Sequence, residues 1–179
     1  MEGALQKIKI DNKEFEIRKF DKKKDSVSEL TELLHRSYKR LADMGLRFVA
    51  THQNEEYTEK YMENGECFIL TCGDKMIGTI FYYTRNWDDI PEVMKRDDAV
   101  LFGKFAVLPE YQNIGLGTKL MDFIESHAVE NGKNEIVLDT SDKAQHLIDY
   151  YSKRGYKFVQ YWQWPDVNYR SVVMIKKLT

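Results

Sequence analysis

The sequence predicts a mixed α/β protein in which helices pack on the faces of one sheet. Three observations favour this class. Short strand-like segments occur along the whole chain, helical segments with apolar residues three and four positions apart lie between them, and one stretch has the order strand, glycine loop, helix, strand. The 179 residues are 42% apolar, which suits one self-supporting core. We therefore expect residues 1–179 to form a single domain.

The first half of the chain predicts two hairpins with two helices between them. The strand-like ranges are 7–10, 15–20, 67–71 and 76–83. The first helix is indicated by apolar residues at three-to-four spacing and ends before Gly45, and a shorter helix covers residues 55–62. Turn residues separate the strands of each hairpin, so we expect antiparallel pairing within each of them.

The second half predicts the strand, loop, helix and strand unit, followed by one helix and two more strands. The predicted strands are 100–107, 135–139, 156–162 and 169–176, and the predicted helices are 118–130 and 143–153. We expect a mixed central sheet of about seven strands. Strict alternation along the first of these strands puts Phe102 and Lys104 on one face and Phe105 and Val107 on the other.

Charge and composition exclude several classes of partner. The 27 basic residues nearly balance the 29 acidic residues, giving a net charge of -2, and no basic stripe is present, so nucleic-acid binding is not expected. No stretch approaches the roughly 20 apolar residues that cross a bilayer, and the N-terminus has no apolar core of a signal peptide. The two cysteines and four scattered histidines show no metal-ligand spacing. We expect a cytoplasmic protein without a metal or a membrane partner.

A glycine loop between the strand at 100–107 and the next helix is the most informative feature. Residues 112–117 have the sequence Gln-Asn-Ile-Gly-Leu-Gly. Two glycines allow a close approach to the backbone, and the unpaired amides at the start of the helix attract a phosphate or pyrophosphate. The spacing excludes a Walker loop, and Leu120 stands where a dinucleotide fingerprint needs glycine or alanine. A tight turn without a ligand remains the alternative.

The wider sequence around this loop resembles motif A of the GNAT superfamily of N-acetyltransferases. Residues 107–117 have the sequence Val-Leu-Pro-Glu-Tyr-Gln-Asn-Ile-Gly-Leu-Gly, and residues 150–156, Tyr-Tyr-Ser-Lys-Arg-Gly-Tyr, are similar to motif B. The two motifs stand in the family's order, in a segment that covers residues 100–159. The resemblance implies the acyl-CoA N-acyltransferase fold and acetyl-CoA as the co-substrate, without a metal.

The resemblance also implies where the coenzyme binds. In the family, the strand before the loop holds the pantetheine arm, the loop amides hold the pyrophosphate, and the thioester lies in a slot beside the strand at 135–139. The matching positions here are Phe105, Ala106, Val107, Gln112, Asn113, Ile114, Gly115, Leu116, Gly117 and Thr118. One departure is Ala144, where many members have an asparagine that touches the cofactor arm; Ser141, Asp142 or His146 could take its place.

The implied chemistry is attack of a neutral amine on the thioester carbonyl, through a tetrahedral oxyanion that a strand amide can stabilise. Tyr151, four residues before Gly155, occupies the family's place for the general acid that protonates the leaving thiolate. A buried aromatic residue with a packing role is the alternative for this tyrosine. The amine must also lose a proton, and the sequence leaves that acceptor open. The candidates are a water chain, Asp98, Glu66, Glu110 and His52.

The expected acceptor is a primary amine, favoured as that of a small molecule. Aromatic residues that could wall its pocket are Trp87, Trp162, Trp164, Tyr82 and Tyr83, and loop aspartates that could attract a cation are Asp88, Asp89, Asp97 and Asp98. Two alternatives stay open: a module that binds acetyl-CoA without catalysis, and an enzyme that acetylates a protein lysine or N-terminus. The last strand is a candidate edge for a homodimer.

Overall fold

The computed structural model of the chain describes residues 6–85 and 88–178. Within them, the strands are β1 (Gln6–Ile10), β2 (Lys13–Lys19), β3 (Gly65–Cys72), β4 (Lys75–Tyr83), β5 (Ala99–Val107), β6 (Glu135–Ser141), β7 (Lys157–Trp162) and β8 (Ser171–Lys177). The α-helices there are α1 (Val27–Asp43), α2 (Glu55–Met62), α3 (Leu116–Glu130) and α4 (Gln145–Lys153). The predicted order of elements is confirmed, with eight strands where about seven were expected.

All eight strands belong to one sheet with the order β1-β2-β3-β4-β5-β6-β8-β7. Pairing is antiparallel except between β5 and β6, which are parallel. The expectation that the last strand offers an edge is wrong, because β8 pairs with β6 on one side and β7 on the other. The edge on that side is β7, where Phe158, Val159 and Tyr161 are exposed.

Helices cover both faces of the sheet. Along β4, Phe81 and Tyr83 contact Tyr61 of α2, whereas Tyr82 between them contacts His127 of α3. Strands that are buried on both faces lose the alternation of apolar and polar residues. This explains why every residue of β4 after its first is buried.

A bulge at Lys104 interrupts β5. Gly103 and Ala106, three positions apart, pair with β4 residues that are only two positions apart. Lys104 has a φ of 50°, which is far from the strand region, so one extra residue is accommodated there. The extra residue reverses the alternation. Phe102 and Phe105 therefore share a face and both pack against tyrosines of α4, so the prediction that they lie on opposite faces is wrong.

A gap opens between β5 and β6 beyond their third pair. Leu101 and Val137 form the last pair, after which β5 follows β4 while β6 follows β8 as far as Ser141. Side chains from opposite faces of the sheet approach each other through this gap. Tyr38 of α1 is close enough to Tyr151 of α4 to influence its pKa. Tyr38 and Tyr151 thus interact across the sheet although they belong to helices on different faces.

Gly78 of β4 keeps the backbone of β5 in place opposite this gap. A Cβ atom at Gly78 would lie 2.9 Å from the carbonyl oxygen of Ala106 and 3.3 Å from the side chain of Leu70. Because a backbone carbonyl in a central strand cannot move aside freely, we expect Gly78→Ala to lower the free energy of unfolding by about 1–3 kcal/mol. Urea unfolding followed by circular dichroism measures this, and an unchanged midpoint would show that β5 has room to shift.

Candidate active site

The loop between β5 and α3 presents a row of free backbone amides. Asn113 has a φ of 63° and Gly115, the residue before α3, a φ of 90°, and such left-handed positions turn successive N–H groups toward one side. In the part of the chain that the structure describes, the N–H groups of residues 113–118 donate no hydrogen bond. Six free donors at the positive end of a helix form a binding site for an anion such as a diphosphate.

Side chains of this loop hold the amides in position. The side-chain amide nitrogen of Gln112 donates a hydrogen bond to the backbone carbonyl of Val107 over 2.8 Å. This bond connects the loop to the end of β5. Leu116 is buried in the core, and Gly117 lies against Phe105, whose ring would be 3.3 Å from a Cβ atom there. The side chains of Gln112 and Leu116 thus fix the loop to the rest of the fold. Contact of the loop with a coenzyme stays a prediction.

The edge of β5 that faces the gap has no partner strand. Phe105, Ala106 and Val107 follow the bulge, and on this side β6 has already separated from β5. On the other side, Ala106 and Val107 pair with β4. Backbone groups on an unpaired strand edge can bind an extended ligand, as the amides of a partner strand would. The structure therefore joins the ten sequence-predicted coenzyme residues into one continuous stretch from the gap to α3.

Tyr151 lies on the α4 side of the gap. Its side chain is 7% exposed and packs edge-on against Phe102 and Tyr156, with ring centres 6.0 Å and 5.8 Å away. Burial, and then the neighbouring Tyr38 and Asp139, raise the pKa of the Tyr151 hydroxyl well above its ordinary value. The hydroxyl is therefore protonated at neutral pH. This state is the one a proton donor requires.

Asp139 of β6 places a fixed carboxylate in the gap. It accepts hydrogen bonds from the indole nitrogen of Trp164 over 2.9 Å and from the hydroxyl of Ser171 over 3.3 Å. Its charge contributes to the raised pKa values of Tyr38 and Tyr151. Asp139 thus adds to the effect of burial, which is the main cause of these raised pKa values.

Lys104 reaches the gap from the bulge, on the face covered by α2. Its ammonium nitrogen lies 5.0 Å from the ring centre of Tyr61 and 5.5 Å from that of Tyr57. Burial and the nearby charge of Arg85 lower the pKa of Lys104 to about 7, although Asp139 opposes the shift. Alternation predicted Lys104 on the face of Phe102, and this is wrong because of the bulge. In the sequence, Lys104 stands out only as the sole charged residue of an otherwise apolar strand.

A cleft of about 430 Å³ lies on the other side of Tyr57, one of the two tyrosines that contact Lys104. The residues that line it are Arg47, Val49, His52, Gln53, Tyr57, Pro165 and Asp166. Tyr57 connects cleft and gap, because its ring lines the cleft and also contacts Lys104. The lining carries charges of both signs, Arg47 and Asp166.

The aromatic residue that lines the cleft is Tyr57, and the described residues predicted as its wall lie outside this lining. Tyr83 and Trp164 lie near the guanidinium of Arg85, whose central carbon is 5.4 Å and 4.5 Å from their ring centres. Trp162 packs against Trp164, and Tyr82 is wrong as a wall residue because it faces α3 on the other side of the sheet. Trp87 lies outside the described residues. Polar residues form most of the cleft instead.

The four side chains considered as bases are distributed over the molecule. Glu66 binds Lys19 and His127, both over 2.8 Å, and Glu110 binds Arg36 over 2.9 Å. The other two candidates are Asp98 and His52. Asp98 precedes β5 at the end where β5 still pairs with β6. His52 lines the cleft, and burial together with the charges of Arg47 and Lys104 lowers its pKa. The structure brings only His52 of these four to the site.

Two of the positions considered in place of the missing asparagine, Ser141 and Asp142, already have protein partners. Ala144 is buried and packs with Leu41 and Tyr169. The hydroxyl of Ser141 accepts a hydrogen bond from the backbone of residue 143, and Asp142 pairs with Arg170 over 3.2 Å. A contact from this segment to a cofactor arm stays a prediction.

Other reactive groups lie elsewhere among the described residues. These ranges contain no group of three or more His, Cys, Asp and Glu side chains placed to hold a metal ion. Within the same ranges, every helix is too short or too polar to cross a membrane. Cys67 and Cys72 are free thiols, and burial raises the pKa of Cys67 to about 12. Cys67 is therefore a packed thiol that stays protonated at neutral pH.

The structure is a mixed α/β fold in which the sheet splits between β5 and β6 and a row of free amides lies next to the split. The model of the Acetyltransferase (GNAT) family matches residues 27–156, and the chain belongs to this family.

Individual proteins are similar to this chain in sequence or in fold. S-(2-succino)cysteine N-acetyltransferase of Bacillus subtilis (strain 168) is 28% identical over 132 residues, which are 73% of this chain and 78% of that protein. The GNAT domain of S. lividans PAT superposes with a TM-score of 0.72 at 15% identity, covering 97% of this chain and 96% of that one. A GNAT family acetyltransferase from Elizabethkingia anophelis with acetyl-CoA bound superposes with a TM-score of 0.64 at 15% identity. The superposition covers 91% of this chain and 97% of that one. The fold predicted from the sequence is confirmed.

Proposed function

We propose that the protein transfers the acetyl group of acetyl-CoA to the primary amine of a small molecule. The observation that carries this proposal is the row of free amides at residues 113–118, directly beside the gap between β5 and β6. Membership of an acetyltransferase family supports the reaction, and the neighbour with acetyl-CoA bound supports the donor. The relative that acts on S-(2-succino)cysteine supports a small-molecule acceptor.

The donor enters from the side of α3 and α4. Its diphosphate binds the amides of residues 113–118, and its pantetheine arm follows the free edge of β5 along Phe105, Ala106 and Val107. This path brings the thioester into the gap, with Tyr151 on one side and Lys104 on the other. Phe105 supports the path because its ring fills the space beside Gly117.

The acceptor enters from the opposite side, through the cleft lined by Tyr57 and Arg47. Its neutral amine attacks the thioester carbonyl, and an N–H group of β5 stabilises the oxyanion. Collapse of the tetrahedral intermediate breaks the carbon–sulfur bond. Tyr151 gives its proton to the departing sulfur and recovers one from the nitrogen, which must lose a proton to become an amide.

The volume and polarity of the cleft favour a small, charged acceptor. A cavity of about 430 Å³ lies at the lower end of the range for small-molecule sites. Arg47 offers a partner for a carboxylate and Asp166 offers one for a second amine. S-substituted cysteines, which carry both an amine and a carboxylate, are therefore the first acceptors to test.

A thiol-release assay with acetyl-CoA tests the proposal. The panel contains S-substituted cysteines, other amino acids, polyamines, aminoglycosides and lysine-containing peptides, and the N-acetylated form of the best acceptor is the matched control. We expect thiol release that depends on a free amine, with the acetamide identified by mass spectrometry. CoA binding without release from any amine would favour a sensor, faster reaction with peptides would favour a protein acetyltransferase, and failure to bind CoA would contradict the proposal.

A further inference from the structure

The bulge in β5 places the side-chain amine of Lys104 beside the gap between β5 and β6. Lys104 has the left-handed φ of 50°, and its side chain leaves the strand two residues before Ala106, on the side of α2. The rings of Tyr57 and Tyr61 flank its nitrogen at 5.5 Å and 5.0 Å. Lys104 thus contacts Tyr57, which lines the cleft, and directly precedes the unpaired part of β5, so the proposed acceptor and donor meet near it.

Charged and titratable groups from several elements face Lys104. They are His52 before α2, Tyr57 and Tyr61 of α2, Tyr83 of β4, Arg85 after β4, and Asp139 of β6. Arg85 disfavours a second positive charge, and the carboxylate of Asp139 is occupied by two hydrogen bonds. Within the described part of the chain, Lys104 forms no ion pair.

The geometry points to Lys104 as the base that takes the proton from the ammonium group of the acceptor. This inference rests on the proposed acetyl transfer and adds to it the residue that makes the nucleophile. In the step, the acceptor R–NH₃⁺ gives one proton to the neutral nitrogen of Lys104, leaving R–NH₂ and a lysine ammonium. The amine then attacks the thioester, and the lysine ammonium later releases its proton to water through the cleft.

The surroundings of Lys104 suit a base better than they suit a permanent charge. Burial and Arg85 lower the pKa of Lys104 to about 7, so a large fraction of the amine is neutral at neutral pH and has a lone pair to offer. Once protonated, the nitrogen lies over the faces of Tyr57 and Tyr61, which stabilise a cation for the time of one turnover.

The test compares Lys104→Met and Lys104→Arg with wild type from about pH 5.5 to about pH 9.5, using the best acceptor from the amine panel. We expect wild-type kcat/KM to rise with pH through an inflection near 7, because the neutral lysine is the active form. Lys104→Met is expected to lose about 10²- to 10⁴-fold in kcat/KM at pH 7 and to lose this inflection. Lys104→Arg keeps the charge but cannot give up its proton, so it is expected to be equally impaired.

Two controls separate catalysis from folding. Lys60→Met changes an exposed lysine of α2 and is expected to keep the wild-type rate and pH profile. Lys104→Met is expected to bind CoA with unchanged affinity by calorimetry and to unfold at the same or a higher urea concentration. The reason is that a desolvated lysine, whose pKa is lower in the folded state than in the unfolded state, costs stability below pH 10.

Three results would overturn the role of Lys104 while leaving acetyl transfer intact. They are a wild-type pH profile in Lys104→Met, full activity in Lys104→Arg with only KM raised in Lys104→Met, or a stable acetyl group on Lys104 with ping-pong kinetics. The second result would make Lys104 an anchor for an acidic group of the acceptor, and the third would make it a nucleophile. Absence of any amine-dependent turnover by the wild type would instead contradict the proposed function itself.

Discussion

Replacing Tyr151 with phenylalanine is expected to lower kcat by roughly 10²- to 10³-fold while leaving the affinity for CoA unchanged. The substitution removes only the hydroxyl, and the ring keeps its edge-on packing against Phe102 and Tyr156. Without that hydroxyl, the sulfur leaves as an unsupported thiolate in a desolvated gap, and the barrier to collapse of the intermediate rises. Steady-state kinetics with the best acceptor, together with calorimetry of CoA binding, measure the two quantities separately.

Tyr150→Phe provides the matched control for this experiment. Tyr150 is the preceding residue of α4, and its ring stacks on Phe105 with centres 6.3 Å apart. We expect this variant to keep kcat close to the wild-type value. If Tyr151→Phe also kept the wild-type kcat, Tyr151 would be a packing residue, and the proton for the sulfur would have to come from water or another phenol such as Tyr38.

The fold was predictable because its elements carry local signals. The three-to-four spacing of apolar residues in α1 and the turn residues of the two hairpins depend only on neighbours in the chain. Strand register and strand order depend on partner strands that are distant in the sequence. The predicted faces of β5 and the predicted edge strand were wrong for this reason. The bulge at Lys104 compensates for a one-residue mismatch with β4, and β8 inserts between β6 and β7 although β7 precedes it in the sequence.

The part of the candidate site that belongs to a sequence motif was predictable, and the rest was not. The loop at residues 112–117 was found because its two glycines and its place before a helix are visible in the sequence. Lys104 was missed because its low pKa comes from residues far away in the chain, such as Arg85, and from burial beneath α2. A lone lysine in an apolar strand gives no hint of such an environment until the bulge and the gap are known.

In the proposed reaction, the gap between β5 and β6 lets one sheet serve two substrates. The amides of residues 113–118 and the unpaired edge of β5 are reached from the layer of α3 and α4, whereas the cleft with Tyr57 and Arg47 opens at the layer of α2. A continuous sheet would separate these two surfaces by a full backbone layer. Because pairing of β5 with β6 ends at Leu101, an acyl group held from one layer can be attacked by an amine held from the other.

Gly117→Asp is expected to weaken CoA binding by roughly 10- to 100-fold. The new carboxylate would stand in the first turn of α3, among the amides of residues 113–118, and would repel the diphosphate. The same carboxylate interacts favourably with the positive end of the helix, so the fold is expected to remain as stable as that of the wild type. Calorimetry with CoA measures the loss of affinity, and thermal unfolding of the unliganded protein measures the stability.

Gly117→Asn separates charge from shape, because asparagine has nearly the same volume as aspartate and introduces the same Cβ atom 3.3 Å from the ring of Phe105. We expect it to bind CoA more tightly than Gly117→Asp, with a difference that shrinks as salt is raised, since salt screens the repulsion between exposed charges. An equal, salt-independent loss in both variants would trace the effect to packing against Phe105. Wild-type affinity in Gly117→Asp would mean that the diphosphate binds away from this loop, and the path of the coenzyme along β5 would have to be abandoned with it.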